Sequence, residues 1–167
     1  MRQRLNHSKI KFYIGDIRDR DSVDDAMTGV DYVFHAAALK QVPSCEFFPM
    51  QATQTNVIGS QNVISSAIQN GVAKVVSLST DKAVYPVNAL GITKALMEKI
   101  VQSVSRNILK GQTLLTLVRY GNVLFSRGSV IPLFMKQIRE KKPLTVTEPT
   151  MTRFLLPLPE AIQLVGF

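Results

Sequence analysis

The chain has 167 residues, 46% of them hydrophobic and 19% charged, which is the balance of one globular domain and excludes a disordered chain. No apolar run approaches the ~20 residues of a membrane span, and the single Cys45 excludes an internal disulfide, so the sequence predicts a cytoplasmic protein without membrane insertion. The formal charge of +8 comes from scattered basic residues with no interleaved aromatics, which disfavours a nucleic-acid partner and suits an anionic small molecule such as a nucleotide diphosphate.

The first half of the chain alternates short β-rich runs with helical patterns. The runs Ile10–Ile14 and Asp31–His35 predict two strands, and a capped helix between them ends at Met27. A longer helix opens at Pro49, and its apolar positions recur at helical spacing until Asn70.

The second half continues this alternation. Its predicted elements are a strand at Ala73–Leu78, a helix from about Asn88 to Lys110, a strand at Leu114–Val118, a helix from about Pro132 to Lys141, short extended pieces at Leu144–Val146 and Phe154–Leu156, and a helix from Pro159 to Phe167. The pattern predicts an α/β fold with a doubly wound, Rossmann-like parallel sheet. No two glycines are separated by a single residue, so the Gly-rich turn of a dinucleotide fold is missing, and the last helix has no cap. We therefore expect a chain cut at both ends that lacks the first βαβ unit.

The densest set of reactive side chains follows the strand Ala73–Leu78, within residues 79–94. Ligands of open α/β sheets bind at the carboxyl ends of the strands. There Thr80, Asp81 and Lys82 supply a hydroxyl, a carboxylate and an amine, which can move protons if both pKa values shift toward neutrality. An exposed Asp–Lys pair that caps the loop explains the triplet equally well, and the residues alone leave both interpretations open.

Other polar residues near strand and helix ends carry weaker signals. Lys94 lies at the mouth of the expected cleft, although a solvated helix lysine is the alternative. His35 has no second ligand at metal-binding spacing, so we predict no metal site and a hydrogen-bonded histidine. Asn56 falls on a mainly apolar helix face, which predicts a buried hydrogen-bonding role. Arg127 and Arg153 are candidates for phosphate contacts, with surface solvation as the alternative.

Seven ordered motifs extend from about Ile10 to the end of the chain. They are Gly-Asp-Ile-Arg-Asp at 15–19, His-Ala-Ala-Ala-Leu-Lys at 35–40, Ser-Thr-Asp-Lys-Ala-Val-Tyr-Pro at 79–86, Gly-Ile-Thr-Lys at 91–94, Arg-Tyr-Gly-Asn-Val at 119–123, Ser-Arg-Gly-Ser at 126–129 and Met-Thr-Arg-Phe at 151–154. Together they resemble the extended short-chain dehydrogenase/reductases that modify nucleotide sugars, in the bacterial polysaccharide-biosynthesis branch. That branch contains C5-inverting UDP-N-acetylglucosamine 4,6-dehydratases and capsule proteins described as UDP-glucose 4-epimerases.

The resemblance implies a role for each matching position. It implies contacts with NAD or NADP from Asp16, Ile17, Ala36, Ala37, Ala38, Lys40, Leu78, Ser79, Lys94, Tyr120 and Val123. It implies contacts with a UDP-sugar substrate from Lys40, Asn122, Val130, Arg127 and Arg153, and catalytic roles for Thr80, Asp81, Lys82 and Lys94. Residues 1–167 would then form part of a dinucleotide-binding domain, and residues 124–167 would begin the nucleotide-sugar region. The full-length protein would be a homo-oligomer.

The implied reaction stores the hydride of the sugar C4 on the cofactor, which leaves a ketone and acidifies the proton at C5. Lys82 as base and Asp81 as acid would then eliminate water across C5 and C6. A lysine after the Thr-Asp pair fits the C5-inverting branch, and a 4-epimerase has no use for such a pair. The main prediction is therefore 4,6-dehydration of UDP-N-acetylglucosamine for capsule or surface polysaccharide, with UDP-glucose 4-epimerase as the alternative and a non-catalytic fragment as the second alternative.

Two departures from the family pattern bear on activity. Leu90 stands where the family has a tyrosine, four residues before Lys94, so the base for the first step is unassigned and Tyr85 or Lys82 are its candidates. Because the Gly-rich turn is missing, the isolated chain is expected to bind NAD(P) poorly or not at all.

Overall fold

A computed structural model describes residues 5, 7–109, 111–126 and 128–166, and a three-stranded parallel sheet lies at its centre. The strands are β1 (Tyr32–His35), β2 (Lys74–Thr80) and β3 (Leu114–Tyr120), in the spatial order β1-β2-β3. β2 pairs with β1 from Lys74 to Ser77 and with β3 along its whole length. The parallel α/β architecture predicted from the alternation of strands and helices is confirmed.

Helices connect these strands and cover the sheet. They are α1 (Arg20–Met27), α2 (Val42–Phe47), α3 (Pro49–Thr53), α4 (Ser60–Gln69), α5 (Ala89–Asn107), α6 (Val130–Arg139) and α7 (Leu158–Gly166), and a π-helical segment (Gln54–Gly59) joins α3 to α4. A small second sheet pairs β4 (Asn122–Val123) with β5 (Leu155–Leu156) in parallel. Among the described residues, no helix combines the length and the apolarity needed to cross a bilayer.

The main core lies between one face of the sheet and helices α1, α4 and α5. Ile64 of α4 and Val75 of β2 are fully buried there, and Val101 of α5 packs against the same cluster. Each such burial stabilises the fold by roughly 1.5–3 kcal/mol. On the opposite face, the Tyr120 hydroxyl donates to the Ala161 carbonyl oxygen at 3.1 Å, which places α7 against β3. The sheet therefore carries helices on both faces.

One predicted strand is wrong. Ile10–Ile14 has no strand geometry, the Ile14 side chain is fully exposed, and β1 is paired only with β2 among the described residues. Leu144–Val146, predicted as a short extended piece, joins neither sheet. An extended run forms a strand only when a neighbouring strand satisfies its backbone donors and acceptors, and a β-rich composition does not reveal whether that neighbour is present.

The remaining differences concern boundaries. The helix predicted from Pro49 to Asn70 is interrupted by the π-helical segment, and α2 was not predicted. α5 ends at Asn107, and the predicted end at Lys110 lies outside the described residues, as does the predicted last helical residue Phe167. β3 extends to Tyr120, two residues beyond the predicted strand end at Val118, because its pairing with β2 continues to Thr80.

Candidate functional site

The predicted catalytic triplet lies where β2 ends, in a 3₁₀ turn at Asp81–Ala83. Thr80 caps this turn: its Oγ1 accepts from Lys82 N at 3.3 Å and donates to Asp81 Oδ1 at 2.9 Å. Lys82 Nζ lies 3.2 Å from the same carboxylate oxygen. Burial raises the pKa of Asp81, but the hydrogen bonds from Thr80 and Lys82 outweigh burial, so the pKa lies below its usual value. Asp81 is therefore a carboxylate at neutral pH, paired with the neighbouring ammonium.

A glycine in the first turn of α5 lets the helix approach this loop. A Cβ at Gly91 would lie 2.3 Å from the Lys82 carbonyl oxygen, a distance that a real side chain does not tolerate, and 3.1 Å from Pro86 Cβ, which is a tight contact. The Asn88 side chain caps α5 by accepting from Gly91 N at 2.9 Å. The close packing and the cap together fix the position of the Lys82 backbone relative to α5.

Lys94 is buried on the next turn of α5, with 5% of its surface exposed. Its Nζ lies 3.3 Å from Met97 Sδ, which is a weak acceptor for an ammonium with three donors. Burial lowers the pKa of Lys94 to about 8. Leu90 stands one turn earlier and packs in a small apolar cluster with Cys45 and Ala52, so no proton-carrying group occupies the position of the family tyrosine.

A cavity of about 410 Å³ opens at the carboxyl ends of β2 and β3. Its lining brings together predicted site residues from distant parts of the chain, namely Ala36, Ala38, Lys40, Leu78, Ser79, Thr80, Lys82, Lys94, Tyr120, Asn122 and Val123. Three buried polar atoms of this lining have no hydrogen-bond partner among the described residues: Ser79 Oγ, Asn122 Nδ2 and Ser129 Oγ. Because buried polar groups are normally paired, the cavity is suited to a polar ligand.

A second groove of about 410 Å³ runs along the edge of β1 and meets the cavity at Ala36. It contains Asp16, Ile17 and Ala37, three of the residues predicted to contact the cofactor. The Asp16 carboxylate accepts from the Arg18 guanidinium at 2.6 Å, and this side-chain hydrogen bond lowers the pKa of Asp16 to about 2. Asp16 is therefore an anion over the whole physiological pH range.

Several predicted site residues lie away from the cavity. The side chain of Asp81 is not part of its lining. Val130 is half exposed and lines a separate cavity of about 650 Å³ beside α6. Arg153 is exposed, and its Nη1 donates to the Thr152 carbonyl oxygen at 2.9 Å. Arg127 lies outside the described residues.

The interpretation of His35 as a hydrogen-bonded histidine is confirmed. The ring is buried, and its Nε2 lies 2.7 Å from Ser60 Oγ. Burial, with a smaller contribution from the nearby charge of Lys94, lowers the pKa of His35 to about 4, so the ring is neutral. Among the described residues, no three His, Cys, Asp or Glu side chains are grouped so that they could hold a metal ion.

The interpretation of Asn56 as a buried hydrogen-bonding residue is also confirmed. Its Oδ1 accepts from Leu39 N at 2.8 Å, and its Nδ2 donates to the Leu39 carbonyl oxygen at 3.0 Å and to Thr93 Oγ1 at 3.1 Å. Asn56 lies on the π-helical segment and ties the loop after β1 to α5. This tie holds one wall of the cavity, formed by Ala38 and Lys40.

The sequence reasoning missed one ion pair, between a buried glutamate and a half-exposed arginine. Glu98 is 3% exposed, and its carboxylate accepts from Arg119 Nε at 2.9 Å and from Arg119 Nη2 at 2.6 Å. The spacing of Lys94 and Glu98, four residues apart on one helix, is a signal that could have found Glu98. No local signal marks Arg119 as its partner.

The chain is similar to known proteins in both sequence and fold. The family described as polysaccharide biosynthesis protein matches residues 1–167. A protein named UDP-glucose 4-epimerase from Rickettsia typhi is 64% identical over 165 residues, which cover 99% of this chain and 48% of that relative. The chain thus spans about half the length of the relatives it matches.

Solved structures show the same fold. Pen from Bacillus thuringiensis superposes with a TM-score of 0.93 at 45% identity, over 98% of this chain and 52% of that one. A dTDP-glucose 4,6-dehydratase from Streptomyces venezuelae, crystallised with NAD, has a TM-score of 0.84 at 22% identity over 95% of this chain and 54% of its own. The second likeness bears on the fold alone, and both structures are about twice the length of the matched region.

Proposed function

Because the chain belongs to the polysaccharide biosynthesis protein family, we propose that it forms part of an enzyme that modifies a UDP-linked sugar with the help of NAD or NADP. One observation carries this proposal. Three unpartnered polar atoms, of Ser79, Asn122 and Ser129, line the same cavity as the buried Lys94. A polar, anionic ligand would satisfy the three groups and the ammonium together.

The residues present fit a dinucleotide on two counts. The unpartnered Ser79 hydroxyl lies near the end of the central strand, and the three alanines 36–38 leave the path between groove and cavity without bulky side chains. When bound, NAD(P) supplies a reversible hydride acceptor. We propose that Asp16 and Ile17 hold the adenine end and that Lys94 donates to the ribose at the other end. The domain prediction, with residues 124–167 contributing to the sugar site, remains part of this proposal.

The leading activity is 4-epimerisation of UDP-glucose. The support is the name of the relatives that are 61–64% identical over 99% of the chain. The electrostatics of the loop agree with it, because Asp81 is held as a carboxylate by Thr80 and Lys82 and is not available as a proton donor without a ligand. Once the 4-ketone has formed, a 4-epimerase needs only the return of hydride to the other face of C4 and of a proton to the 4-oxygen. The proposal therefore prefers the alternative of the sequence analysis to its main prediction.

The second candidate is 4,6-dehydration of UDP-N-acetylglucosamine. It is favoured by the ion pair of Asp81 and Lys82 at the end of the central strand, 3.2 Å apart. Leu90 stands where the family has a tyrosine, so either activity needs another residue as the base for the first step. Lys82 is the better candidate, since it lines the cavity, whereas Tyr85 is 92% exposed and is not part of the lining.

Product analysis separates the two activities. The chain, and a longer version that completes it to the length of its relatives, are incubated with NAD(P) and either UDP-glucose or UDP-N-acetylglucosamine. Formation of UDP-galactose without a change of mass supports the epimerase, and loss of the mass of one water supports the dehydratase.

The variant Asp81→Asn sharpens the result. It should slow dehydration about 100-fold or more because a general acid is lost, and it should change epimerisation by only a few-fold. If the completed protein converts neither sugar and shows no calorimetric binding of UDP, the proposal of a UDP-sugar enzyme is wrong.

A further inference from the structure

Two cavities of the protein meet at a pair of adjacent residues. The cavity at the carboxyl ends of β2 and β3 and the cavity of about 650 Å³ beside α6, called the α6 cavity, both have Gly128 and Ser129 in their lining. Ser129 Oγ is one of the buried atoms that have no hydrogen-bond partner among the described residues. Because buried polar groups are normally paired, this junction suits a polar ligand that extends from one cavity into the other.

Gln41 reaches the junction from the loop after β1. It is the N-cap residue of α2, and it lines the cavity. Its amide fills the space that a Cβ at Gly128 would need, since Nε2 lies 2.7 Å and Oε1 lies 3.6 Å from that position. Gly128 has a φ of +77°, which glycine adopts without steric cost. The lack of a side chain at Gly128 therefore gives the Gln41 amide its place at the junction.

The protein itself does not use the Gln41 amide. A carboxamide offers two N–H donors and a carbonyl acceptor. The Gln41 side chain does not cap α2, and it has no other hydrogen-bond partner among the residues that the structure describes. Because the residue is exposed, water satisfies the amide until a ligand replaces it. The amide can therefore bind a ligand without breaking a hydrogen bond that holds the fold.

One polar group of a UDP-sugar falls at this junction. This step rests on the proposed function, in which the sugar C4 reacts beside Thr80 and Lys82 in the cavity. In a pyranose, C4 lies across the ring from C1, and C1 carries the diphosphate. The α6 cavity, whose lining includes Lys136 and Thr145, is the space for the nucleotide. The C2 substituent is the hydrogen-bonding group of the sugar that is nearest to C1, so it lies at the junction beside Gln41.

We propose that Gln41 is a specificity-determining residue whose side-chain amide hydrogen-bonds the C2 substituent of the bound UDP-sugar. That substituent is a hydroxyl in UDP-glucose and an acetamido group in UDP-N-acetylglucosamine, and each combines a donor with an acceptor. The acetamido group carries them on separate atoms and binds both ends of the Gln41 amide, whereas a hydroxyl binds one end with good geometry. Gln41 thereby distinguishes sugars by what C2 carries, independently of the reaction at C4.

Calorimetry with three ligands tests this contact on the completed protein. The ligands are UDP-glucose, UDP-N-acetylglucosamine and UDP-2-deoxyglucose, which has no C2 substituent. Gln41→Leu removes the amide and keeps a side chain of similar bulk. It should raise the Kd of at least one of the first two sugars about 3- to 10-fold, because one net hydrogen bond is lost, and leave the Kd of UDP-2-deoxyglucose unchanged. The matched control Gln102→Leu, at an exposed site on α5, should change none of the three Kd values.

The pattern of losses decides the inference. A loss for one or both of the substituted sugars, without a loss for UDP-2-deoxyglucose, supports the contact, and the larger loss identifies the hydroxyl or the acetamido group as the one that Gln41 binds. Equal losses for all three ligands, or no loss for any, overturn the inference, because the side chain would then act on the fold or not act on C2 at all.

A second measurement covers the case in which Gln41→Leu does not fold, as judged by circular dichroism. The NMR signals of the Gln41 side-chain NH₂ group are then followed in the unmutated protein. They should shift more with at least one substituted sugar than with UDP-2-deoxyglucose, because a hydrogen bond forms at the amide. Equal shifts with all three ligands overturn the inference.

Binding of UDP alone separates this inference from the proposed function. If UDP binds and Gln41→Leu has no selective effect, the role of Gln41 is wrong and the proposed UDP-sugar site stands. If the completed protein binds neither UDP nor any of the three sugars, the proposed function is wrong and the role of Gln41 falls with it.

Discussion

The two hollows that meet at Ala36 have the same volume, about 410 Å³, but they are built differently. The cavity stands over β2, which is paired on both edges, and the Asn56 hydrogen bonds to Leu39 hold one of its walls. The groove lies along the edge of β1, which is paired on one side among the described residues and exposes Tyr32 and Phe34. Polar groups are positioned where the strand has two neighbours, and apolar rings are exposed where it has one.

The largest expected effect is on the cavity side. Asn56→Ala would leave the Leu39 N–H group without its partner and would remove the Asn56 hydrogen bonds to the Leu39 carbonyl and the Thr93 hydroxyl, which together should cost about 3 kcal/mol of the free energy of unfolding. Urea unfolding measures it. Gln61→Ala on α4 removes a single side-chain hydrogen bond to Ser65 and should cost less than about 1 kcal/mol. If both variants lost the same free energy of unfolding, the Asn56 hydrogen bonds would not be what holds the cavity wall in place.

His35, between the two hollows, gives a dependence of stability on pH. Its folded pKa of about 4 lies below the unfolded value, so the unfolded chain binds more protons between these limits. Stability is fully present above about pH 6.5 and should fall by about 3 kcal/mol as the pH drops toward 4. His35→Gln should flatten this part of the profile in urea titrations at each pH. His7→Gln, at an exposed site, is the control, and a wild-type slope in His35→Gln would contradict the assignment.

Gly91 tests how closely α5 approaches the loop on the cavity side. Gly91→Ala places a Cβ 2.3 Å from the Lys82 carbonyl oxygen and should cost about 2 kcal/mol, because backbone must move. In the control Gly166→Ala on α7, no atom lies within 4 Å of the new Cβ, and stability should stay the same or rise slightly. Thermal unfolding compares the two. If both variants are equally stable, the contact between Lys82 and α5 is not tight.

The smallest expected effect is on the groove side. Phe34 is 61% exposed, so Phe34→Lys should change the free energy of unfolding by no more than about 0.5 kcal/mol. It should nevertheless weaken the binding of a small apolar dye to the groove, observed through the NMR signal of the Met27 methyl group. Phe47→Lys, at a more exposed ring outside the groove, is the matched control. If Phe34→Lys lost as much stability as Asn56→Ala, the groove side would contribute to the fold as strongly as the cavity side, against the comparison made above.

The sequence predicted the parts of the fold that depend on local pattern. The apolar runs marked β2 and β3, and Asn88 marked the start of α5, because burial and capping are written into consecutive residues. Ile10–Ile14 failed because a strand depends on a neighbour that composition does not report. The rule that ligands of open α/β sheets bind at the carboxyl ends of the strands also located the candidate site at residues 79–94 from the sequence alone.

The charge interactions of the site could not be predicted from the sequence in the same way. Glu98 and Arg119 are 21 residues apart in the chain, and the packing of α5 against β3 brings them together. The side-chain atoms of Ser79, Asn122 and Ser129 that lack a hydrogen-bond partner are defined by the three-dimensional packing around them. Such properties belong to the packed assembly of several elements, and no single stretch of sequence encodes them.

Ala36 lines both the cavity and the groove, and its side chain at the point where they meet is a single methyl group. A molecule long enough to occupy both the cavity and the groove would contact this methyl group. A larger, branched side chain at position 36 would therefore separate the cavity from the groove. Each compartment would then accept its own short ligand, and the affinity that an extended molecule gains from occupying both at once would be lost.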